Sequence, residues 1–398
     1  MRTVIIKSFF CILFLCYSIY SYGKININEK NKFSHELDSV VSKQNNILKF
    51  VSEYVPPIPS EKLKEVALDK YPESVNNLYK YIIYILQLEQ GFNDNDITGF
   101  LNKFSRAMFP EKIDEKSDDV SIKLVQAALN LNGYICSIDG IWSKSLSDVI
   151  SEFQQFMRIK QSRVADNETL QALFSSGGNT QKKVLGCDCA QQLSKEHIDF
   201  LKSGNYKYVG RYLTSKENGR QKHITREELY ALLESGFRVI LFFQEGMHDF
   251  EHCTEEQGII DAEKAIIAAQ KLGIKKGVTI YGVIDADLNP EEVYGYIKSM
   301  SITLRENGYD FGIYGSRAVC NFAYEHGLAS FSYVAGLSHN YVGNKGHQMP
   351  KNWAFNQETQ IYADSMTNNS VQFDIDNVVV SGIDPGITEE DIQFNTTY

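Results

Sequence analysis

The C-terminal half of the chain alternates short apolar runs with helical stretches. Amphipathic helices are predicted at 225–236, where Thr225 and Glu228 form a capping box, and at 254–273. Eight apolar runs have the length and composition of buried strands: 184–190, 206–213, 238–246, 279–288, 310–317, 331–338, 352–358 and 371–379. This alternation over residues 184–398 predicts an α/β fold of the (β/α)8 TIM-barrel type.

The N-terminal half has the periodicity of helices and contains a faint internal repeat. The segment ILQLEQGFNDNDITGF (85–100) is similar to VQAALNLNGYICSIDGI (125–141). In each, an amphipathic helix ends at a glycine followed by an aromatic residue, and a second glycine makes the next turn. Two copies predict two related small all-α modules, the first within 24–115 and the second at 116–175.

Two segments differ from the rest of the chain. Residues 176–183, SGGNTQKK, have the composition of a linker. At the start of the chain, Arg2 and Lys7 precede an apolar run at 8–20 and small residues at 21–23. This pattern predicts a secretory signal peptide over 1–23, because the apolar run is shorter than the roughly 20 residues that a bilayer span needs.

The chain is acidic, with a formal net charge of -10, and loss of Arg2 and Lys7 with the signal peptide would make it more negative. Such a chain is repelled by nucleic acids and by anionic membranes, so neither is expected as a partner. Of the seven cysteines, two lie in the predicted signal peptide. The odd remainder predicts at least one free thiol, and no cofactor or metal site is expected from the cysteine spacing.

Polar side chains collect where the predicted strands end. In TIYGVIDADL (279–288), Asp285 and Asp287 lie on the same face of an extended chain. The active site of such a barrel lies at the carboxyl ends of its strands. The polar residues predicted at this rim are Asp188, Arg211, Tyr212, Gln244, Glu245, Asp285, Asp287, Tyr314, Gln357, Asp374 and Asp376. Because the carboxylates come from four different strands, they predict one functional site.

The second helical repeat resembles the three-helix peptidoglycan-binding domain that is found beside many cell-wall hydrolases. The resemblance covers residues 120–174, and the first copy, at 60–112, is expected to share the fold. The residues that carry it are Leu129, Leu131, Gly133, Tyr134, Ile138, Asp139, Gly140, Ile141, Val149, Phe153, Gln154, Thr169, Leu170 and Leu173.

Residues 184–385 resemble the glycoside-hydrolase-like domain family, a domain of unknown function related to the family 25 lysozyme-type muramidases. The matching segments are Gly186-x-Asp188, GRYL at 210–213, Asp285-x-Asp287, GIYG at 312–315, WAFNQ at 353–357 and Asp374-x-Asp376. Secreted bacterial members of this group are similar in having peptidoglycan-binding repeats ahead of the barrel.

The resemblance implies roles for the acidic residues. Asp287 would be the general acid, with Asp285 as its partner carboxylate and Asp188 as a third catalytic residue. The residues expected to bind the glycan are Arg211, Tyr212, Gln244, Glu245, Tyr281, Tyr314, Trp353, Gln357, Asp374 and Asp376. The aromatic members of this set either stack on sugar rings or fill the barrel core.

One departure from the family leaves alternatives open. The muramidases have Glu at the position of Asp287, and a misplacement of roughly 1 Å costs about a hundredfold in rate. The barrel is therefore either a muramidase-like hydrolase or a non-catalytic carbohydrate-binding domain. A third alternative is a phosphodiesterase that holds Mg²⁺ or Ca²⁺ with the rim aspartates.

The segment HDFEH (248–252) matches an inverted zinc-protease pattern, but its position after a strand predicts a loop.

The leading hypothesis is a secreted, cell-wall-associated protein with peptidoglycan or a related polysaccharide as its partner. The small modules would tether the chain to the wall and raise the local concentration of glycan at the barrel. The barrel would bind the glycan strand and hydrolyse it.

Overall fold

The computed structural model describes residues 46–47, 49–51, 73–93, 96–179, 182–246, 250–362 and 374–393. The chain divides into two compact units, Met1–Lys49 and Phe50–Tyr398. In the first unit the described residues are helical, and everything below concerns the second. The predicted signal peptide and His248 lie outside the described residues. Within the described ranges, no helix is long and apolar enough to cross a bilayer.

The N-terminal part of the second unit is helical, as the sequence predicts. Asp118, Ser143 and Asp166 each accept a hydrogen bond from a backbone N–H three residues ahead, which caps a helix that starts there. Its elements are α1 (Glu73–Glu89), α2 (Lys103–Ala107), β1 (Lys112–Ile113), α3 (Asp119–Leu131), α4 (Lys144–Phe156), β2 (Ala165–Asp166) and α5 (Asn167–Phe174). Strands β1 and β2 form a short antiparallel ribbon.

Two buried glutamines occupy equivalent positions in the two segments that were predicted to be repeats, and they make equivalent hydrogen bonds. The Oε1 atom of Gln87 accepts hydrogen bonds from the backbone N–H groups of residues 98–99, both at 3.0 Å. The Oε1 atom of Gln126 accepts from residues 139–140, again at 3.0 Å. In both copies a helix therefore holds the loop that follows it through one amide, which satisfies loop donors that would otherwise be buried without partners.

The C-terminal part is a closed eight-stranded barrel surrounded by helices, which confirms the predicted α/β barrel. Its strands are β3 (Gly186–Asp188), β4 (Tyr208–Tyr212), β5 (Arg238–Phe243), β6 (Thr279–Val283), β7 (Asp310–Gly315), β8 (Phe331–Val334), β9 (Trp353–Tyr362) and β10 (Asp374–Val380). Its helices are α6 (Lys195–Ser203), α7 (Arg226–Glu234), α8 (Glu255–Lys271), α9 (Tyr294–Glu306) and α10 (Arg317–Glu325).

The last strand corrects one detail of the prediction. Strands β3 to β9 run parallel to their neighbours, but β10 is antiparallel to both β3 and β9. Asp374 and Asp376 therefore lie at the beginning of their strand and not at its end. The rim that gathers the carboxyl ends of the parallel strands still receives them, because an antiparallel strand starts where its neighbours stop.

Aromatic rings fill the barrel interior. The rings of Phe242 and Tyr333 meet edge to face, with centroids 4.9 Å apart and planes at 88°. Two glycines make room for this packing. A Cβ atom on Gly210 would lie 2.6 Å from the ring of Phe242, and one on Gly312 would lie 2.5 Å from the ring of Tyr281. The rings occupy the space that side chains on these strands would otherwise need.

The segment that was predicted as a linker is packed against the barrel. Between β8 and β9 the chain forms a 3-10 turn (Val342–Asn344) instead of an α-helix. Residues 175–178 are buried and cover the outer face of β9 at this gap. The hydroxyl of Ser176 donates to the carbonyl of Gly336 at 2.8 Å, and the side chain of Asn356 donates to the carbonyl of Ser176 at 3.4 Å. This part of the segment is a fixed contact and not a free tether.

Side chains beyond the linker complete the contact between the helical part and the barrel. The rings of Phe156 on α4 and Trp353 on β9 meet edge to face, with centroids 6.2 Å apart. Arg317 on α10 donates from Nη1 to the side-chain oxygen of Asn132 at 3.3 Å. Apolar, cationic and backbone contacts thus join the two parts.

Substitution of Gly336 by alanine tests this packing. Its Cβ atom would lie 2.6 Å from the carbonyl oxygen of Ser176 and 2.7 Å from that of Gln357. Since both contacts are with backbone, we expect a loss of about 1–3 kcal/mol in the free energy of unfolding, measured as a lower Tm. Gly295→Ala is the control, because its nearest neighbour is 3.6 Å away. An unchanged Tm for Gly336→Ala would contradict the close packing.

Candidate active site

The rim of the barrel brings carboxylates from three strands together. Asp376 pairs with Asp188 in the register of β10 and β3, and Asp285 follows the end of β6. Asp188 is buried, whereas Asp285 and Asp376 are partly exposed. The rim therefore has one carboxyl beneath and two near its surface.

One amide bridges the two carboxyls of β3 and β10. Nε2 of Gln357 donates to Oδ2 of Asp188 at 3.0 Å and to Oδ2 of Asp376 at 2.9 Å. The Tyr314 hydroxyl donates to Oε1 of Gln357 at 3.0 Å, and this contact sets the orientation of the amide. The hydroxyl of Tyr333 donates to the same oxygen of Asp188 at 2.5 Å. The two acids are thus held close together by a single nitrogen.

The environment shifts the pKa values of these two carboxyls by different amounts. Burial raises the pKa of Asp376 to about 8, and the negative charges of Asp188, Asp285 and Asp374 add to the shift. Burial also raises the pKa of Asp188, to about 6, where the hydrogen bonds from Tyr333 and Gln357 oppose it. At neutral pH, Asp376 is consequently protonated while Asp188 is largely ionised.

Asp376 has one more unusual feature. Its Oδ1 atom is buried and has no hydrogen-bond partner among the residues that the structure describes. Buried polar atoms in native proteins are normally paired. An unpaired one at the mouth of a barrel is therefore suited to contact a ligand.

A lysine that sequence reasoning missed lies at the same mouth. Nζ of Lys222 is 3.9 Å from the centroid of the Tyr212 ring and donates to the side-chain oxygen of Gln244 at 2.7 Å. Burial lowers the pKa of Lys222 to about 8, and the charges of Asp285 and Glu245 oppose this shift. Lys222 covers one face of Tyr212, a ring that was expected either to stack on a sugar or to fill the barrel core.

Asp287 is placed differently from its expected role. Its two carboxylate oxygens accept hydrogen bonds from the backbone N–H groups of Val342 and Gly343, at 2.8 and 3.1 Å. The loop between β8 and β9 is thereby fixed to the end of β6. Tyr341 in the same loop contacts Asp285 at 3.4 Å. As placed, Asp287 positions a loop through both of its carboxylate oxygens.

Arg211 does not reach the mouth, contrary to expectation. It lies on the outer face of β4, where Nε donates to Oε1 of Glu228 at 2.6 Å and Nη1 to the carbonyl of Cys189 at 2.6 Å. Its side chain is fully buried. The alternation of a strand explains this position, since Tyr212 points inward and its neighbour must point outward.

Two aromatic residues are also absent from the mouth. The hydroxyl of Tyr281 donates to Asp384 at 2.5 Å, and Asp384 in turn accepts from the backbone of Gly386. Because residue 387 pairs with Val239 near the start of β5, Tyr281 points toward the opposite end of the barrel. Trp353 begins β9 and packs on Phe156, so it too lies away from the rim.

The remaining expected residues line the rim or its edge. Glu245 pairs with Lys264 of α8 at 2.7 Å, and Asp374 is exposed. The residues that sequence reasoning missed are Lys222, Tyr333 and Tyr341. Strand alternation in FSYVAGLS places Tyr333 on the inner face and could have identified it. Lys222 and Tyr341 lie in loops without any periodic pattern.

Across the described ranges, no group of three or more His, Cys, Asp or Glu residues is arranged to hold a metal ion. The free cysteines of the part of the chain that the structure describes include Cys136, Cys187, Cys189 and Cys320.

The barrel and its acidic rim define a glycoside-hydrolase-like architecture, and comparison with known families agrees. Residues 199–384 match the model of the Rv2525c-like, glycoside hydrolase-like domain, and residues 118–173 match that of a peptidoglycan binding domain. The chain thus carries a domain of the Rv2525c-like family behind a peptidoglycan-binding domain. This confirms both resemblances seen in the sequence.

Several known proteins are similar to this chain. The uncharacterized proteins FadG and YbfG of Bacillus subtilis (strain 168) are 34% identical over 318 residues and 32% identical over 325 residues. Both alignments cover 77% of this chain, but only 55% and 44% of the relatives. The chain spans about half the length of these curated relatives.

Two solved structures are similar at lower identity. The Tat-secreted protein Rv2525c of Mycobacterium tuberculosis, in complex with L-tartrate, is 17% identical with a TM-score of 0.42, and the match covers 51% of this chain and 98% of that one. An uncharacterized protein of B. stearothermophilus is 18% identical with a TM-score of 0.38, over 50% and 95% of the two chains.

The raised pKa of Asp376 predicts a stability that depends on pH. The ordinary value for the carboxyl is 3.8 and the folded value is about 8, so folding takes up a proton between them. The resulting stability is lost as the pH rises through this window. Asp376→Asn has no proton to take up, and we expect its Tm to exceed that of the wild type increasingly from about pH 4 to about pH 8.

Thermal unfolding followed by circular dichroism across this pH range provides the measurement. Glu263→Gln changes an exposed carboxylate on α8 and is the control. A Tm difference between Asp376→Asn and wild type that stays constant with pH would refute the assignment.

Proposed function

We propose that this protein is a cell-wall-directed glycan hydrolase. The peptidoglycan-binding domain holds the wall polymer, and the barrel mouth cleaves a glycan strand. The observation that carries the proposal is the pair Asp188 and Asp376, whose pKa values are separated by their surroundings. Two carboxyls in different protonation states at neutral pH are what acid–base cleavage of a glycosidic bond requires. Export of the chain, which the first 23 residues predict, belongs to the same proposal.

Asp376 is the proposed general acid. Its protonated carboxyl gives the proton to the glycosidic oxygen as the bond between that oxygen and the anomeric carbon breaks. The partly exposed Asp285 faces the positive charge that develops on the sugar ring, and water then completes the hydrolysis. Asp188 is buried below both, and its charge helps to raise the pKa of Asp376. It is a positioning residue in this scheme: its negative charge keeps the proton on Asp376, so activity depends on Asp188 being ionised.

Asp287 receives a structural role in the proposal. By holding the N–H groups of Val342 and Gly343, it fixes the loop that carries Tyr341 beside Asp285. A change at Asp287 would therefore act on the shape of the mouth and on substrate binding.

A second candidate function is glycan binding without turnover. The placement of Asp287 favours it, because the residue at the family's acid position is engaged with the backbone of a loop. A binding barrel would sediment with insoluble peptidoglycan and release no soluble product.

Release of reducing sugars from purified peptidoglycan distinguishes the two functions. We expect Asp376→Asn to lower the rate by about 10²–10⁴-fold, the usual contribution of a general acid. Asp287→Asn should mainly raise KM, and Glu263→Gln on the outside of α8 should match the wild type. Background release from the wild type and Asp376→Asn alike, together with cosedimentation, would leave binding as the function.

The dependence of kcat/KM on pH should form a bell. Activity needs Asp188 ionised and Asp376 protonated, so it rises through about pH 6 and falls through about pH 8. Tyr333→Phe removes a hydrogen bond that lowers the pKa of Asp188, and its acidic limb should move to higher pH. A profile in which Tyr333→Phe shifts only the alkaline limb would contradict the assignment of the two acids.

A further inference from the structure

A small cavity lies between the helical part and the barrel, apart from the acidic mouth. Its volume is about 40 Å³, which is room for a small polar group, since one water needs roughly 10–15 Å³ on this measure. The polar residues that line it include Tyr79, Arg106, Asn132, Arg317, Asn344 and Lys345. Three of these are cations and none is an acid. A group that enters this cavity must therefore be small, and anions are favoured.

Arg317 is the most unusual of the lining residues. It is the first residue of α10 and is 3% exposed. Its Nη1 atom donates to Asn132 at 3.3 Å and to the carbonyl of His347 at 3.0 Å. Its Nε and Nη2 atoms are buried and have no hydrogen-bond partner within the described part of the chain. Burial lowers the pKa of Arg317 to about 10, so the side chain remains a cation at neutral pH.

The two unpaired nitrogens form the edge of a guanidinium that matches a carboxylate. Arg211 shows this pairing within the same protein: its Nε and Nη2 donate to the two carboxylate oxygens of Glu228, at 2.6 and 3.3 Å. Such forked pairs are among the strongest hydrogen bonds in proteins. A carboxylate placed against Arg317 would satisfy both donors and neutralise a buried charge.

The surrounding charges support an anion at this place. Arg106 donates to the carbonyl of Gly178 at 3.0 Å, and no carboxylate of the described residues forms an ion pair with it or with Arg317. The charge of Glu358 reaches both guanidinium groups. The carboxylate of Glu358, however, accepts its hydrogen bond from Asn356 and faces Lys182 at 3.9 Å.

The cavity is connected to the mouth by one loop. Val342 and Gly343 bind Asp287 at the rim, whereas the side chain of Asn344 accepts from the backbone N–H of Arg317 at 2.8 Å. The same loop therefore borders both the acidic mouth and the cavity. A polymer that carries both sugars and carboxylates could contact the two places at once.

We propose that this cavity binds the terminal carboxylate of the peptide stem of peptidoglycan, with the Nε and Nη2 edge of Arg317 as its main contact. The choice of peptidoglycan rests on the proposed function, whereas the preference for a carboxylate rests on Arg317 and the cavity alone. Arg106 and Lys345 add positive charge around the bound group.

Binding of a stem peptide to the wild-type protein tests this, because the peptide has no glycosidic bond that the mouth could cleave. Isothermal titration compares a synthetic stem tetrapeptide that has a free C-terminal carboxylate with the same peptide capped as a carboxamide. We expect the free carboxylate to bind at least about tenfold more tightly, since a charged hydrogen-bond pair is lost in the amide. Equal affinities for the two peptides, or no binding of either, would overturn the proposal.

Variants then locate the site. Arg317→Lys keeps the positive charge but loses the two parallel N–H donors, and it should abolish the preference for the free carboxylate. Arg226→Lys, on the outside of α7, is the control and should retain that preference. If Arg317→Lys does not fold, Arg106→Gln serves instead and should weaken the preference. An unchanged preference in the folded variants would place the carboxylate elsewhere and overturn the assignment, as would stabilisation by acetate without any binding of the peptide.

Failure of this site is distinguishable from failure of the proposed function. Glycan strands stripped of their stems have no such carboxylate, so Arg317→Lys should cleave them as fast as the wild type. Loss of cleavage by Asp376→Asn on the same strands reports on the mouth alone.

Discussion

The antiparallel course of β10 is the constraint on which the acidic mouth depends. A strand that ran parallel to its neighbours would present Val379 and Val380 at the rim and carry Asp374 and Asp376 to the opposite end. Because β10 runs the other way, its first residues lie at the rim, and the register places Asp376 opposite Asp188. The same strand that closes the barrel thereby brings the second carboxyl beside the first.

Closure of the barrel between β3 and β10 brings acidic side chains close together, which is electrostatically unfavourable. Asp188 is buried, and the charges of Asp285 and Asp376 lie around it. Two buried anions side by side are unfavourable in a region that excludes water, so one of them keeps its proton. The Gln357 amide donates to both carboxyls, whereas the Tyr333 hydroxyl donates to Asp188, and this hydrogen bond favours Asp188 as the anion. The interior of the barrel thus stabilises the carboxylate of Asp188 and leaves Asp376 protonated.

The sequence predicted the barrel well because each strand is a continuous apolar run that needs no partner to be recognised. It also predicted that Asp188 and Asp376 share one rim, since strand ends meet there, but it took Asp285 and Asp287 as the pair of working acids. It did not predict that Arg211 lies on the outer face of β4, because this follows only once Tyr212 is known to point inward and side chains alternate along the strand. It also did not predict that β10 is antiparallel to its neighbours. The roles of Asp287 and Lys222 depend on loops, and loop geometry is set by contacts between distant residues, such as the pairing of Asp287 with the N–H groups of Val342 and Gly343.

The close contact between the helical part and the barrel changes how the two act together. A flexible tether would only raise the concentration of glycan near the mouth. Here residues 175–178 are buried against β8 and β9, so the binding domain has a fixed orientation relative to the rim. A polymer bound to that domain would then approach the mouth along a set path, and orientation in addition to proximity would contribute to its positioning. The loop that joins Asp287 to Arg317 borders both the acidic mouth and the cavity, so a single element of the fold connects the two proposed binding places.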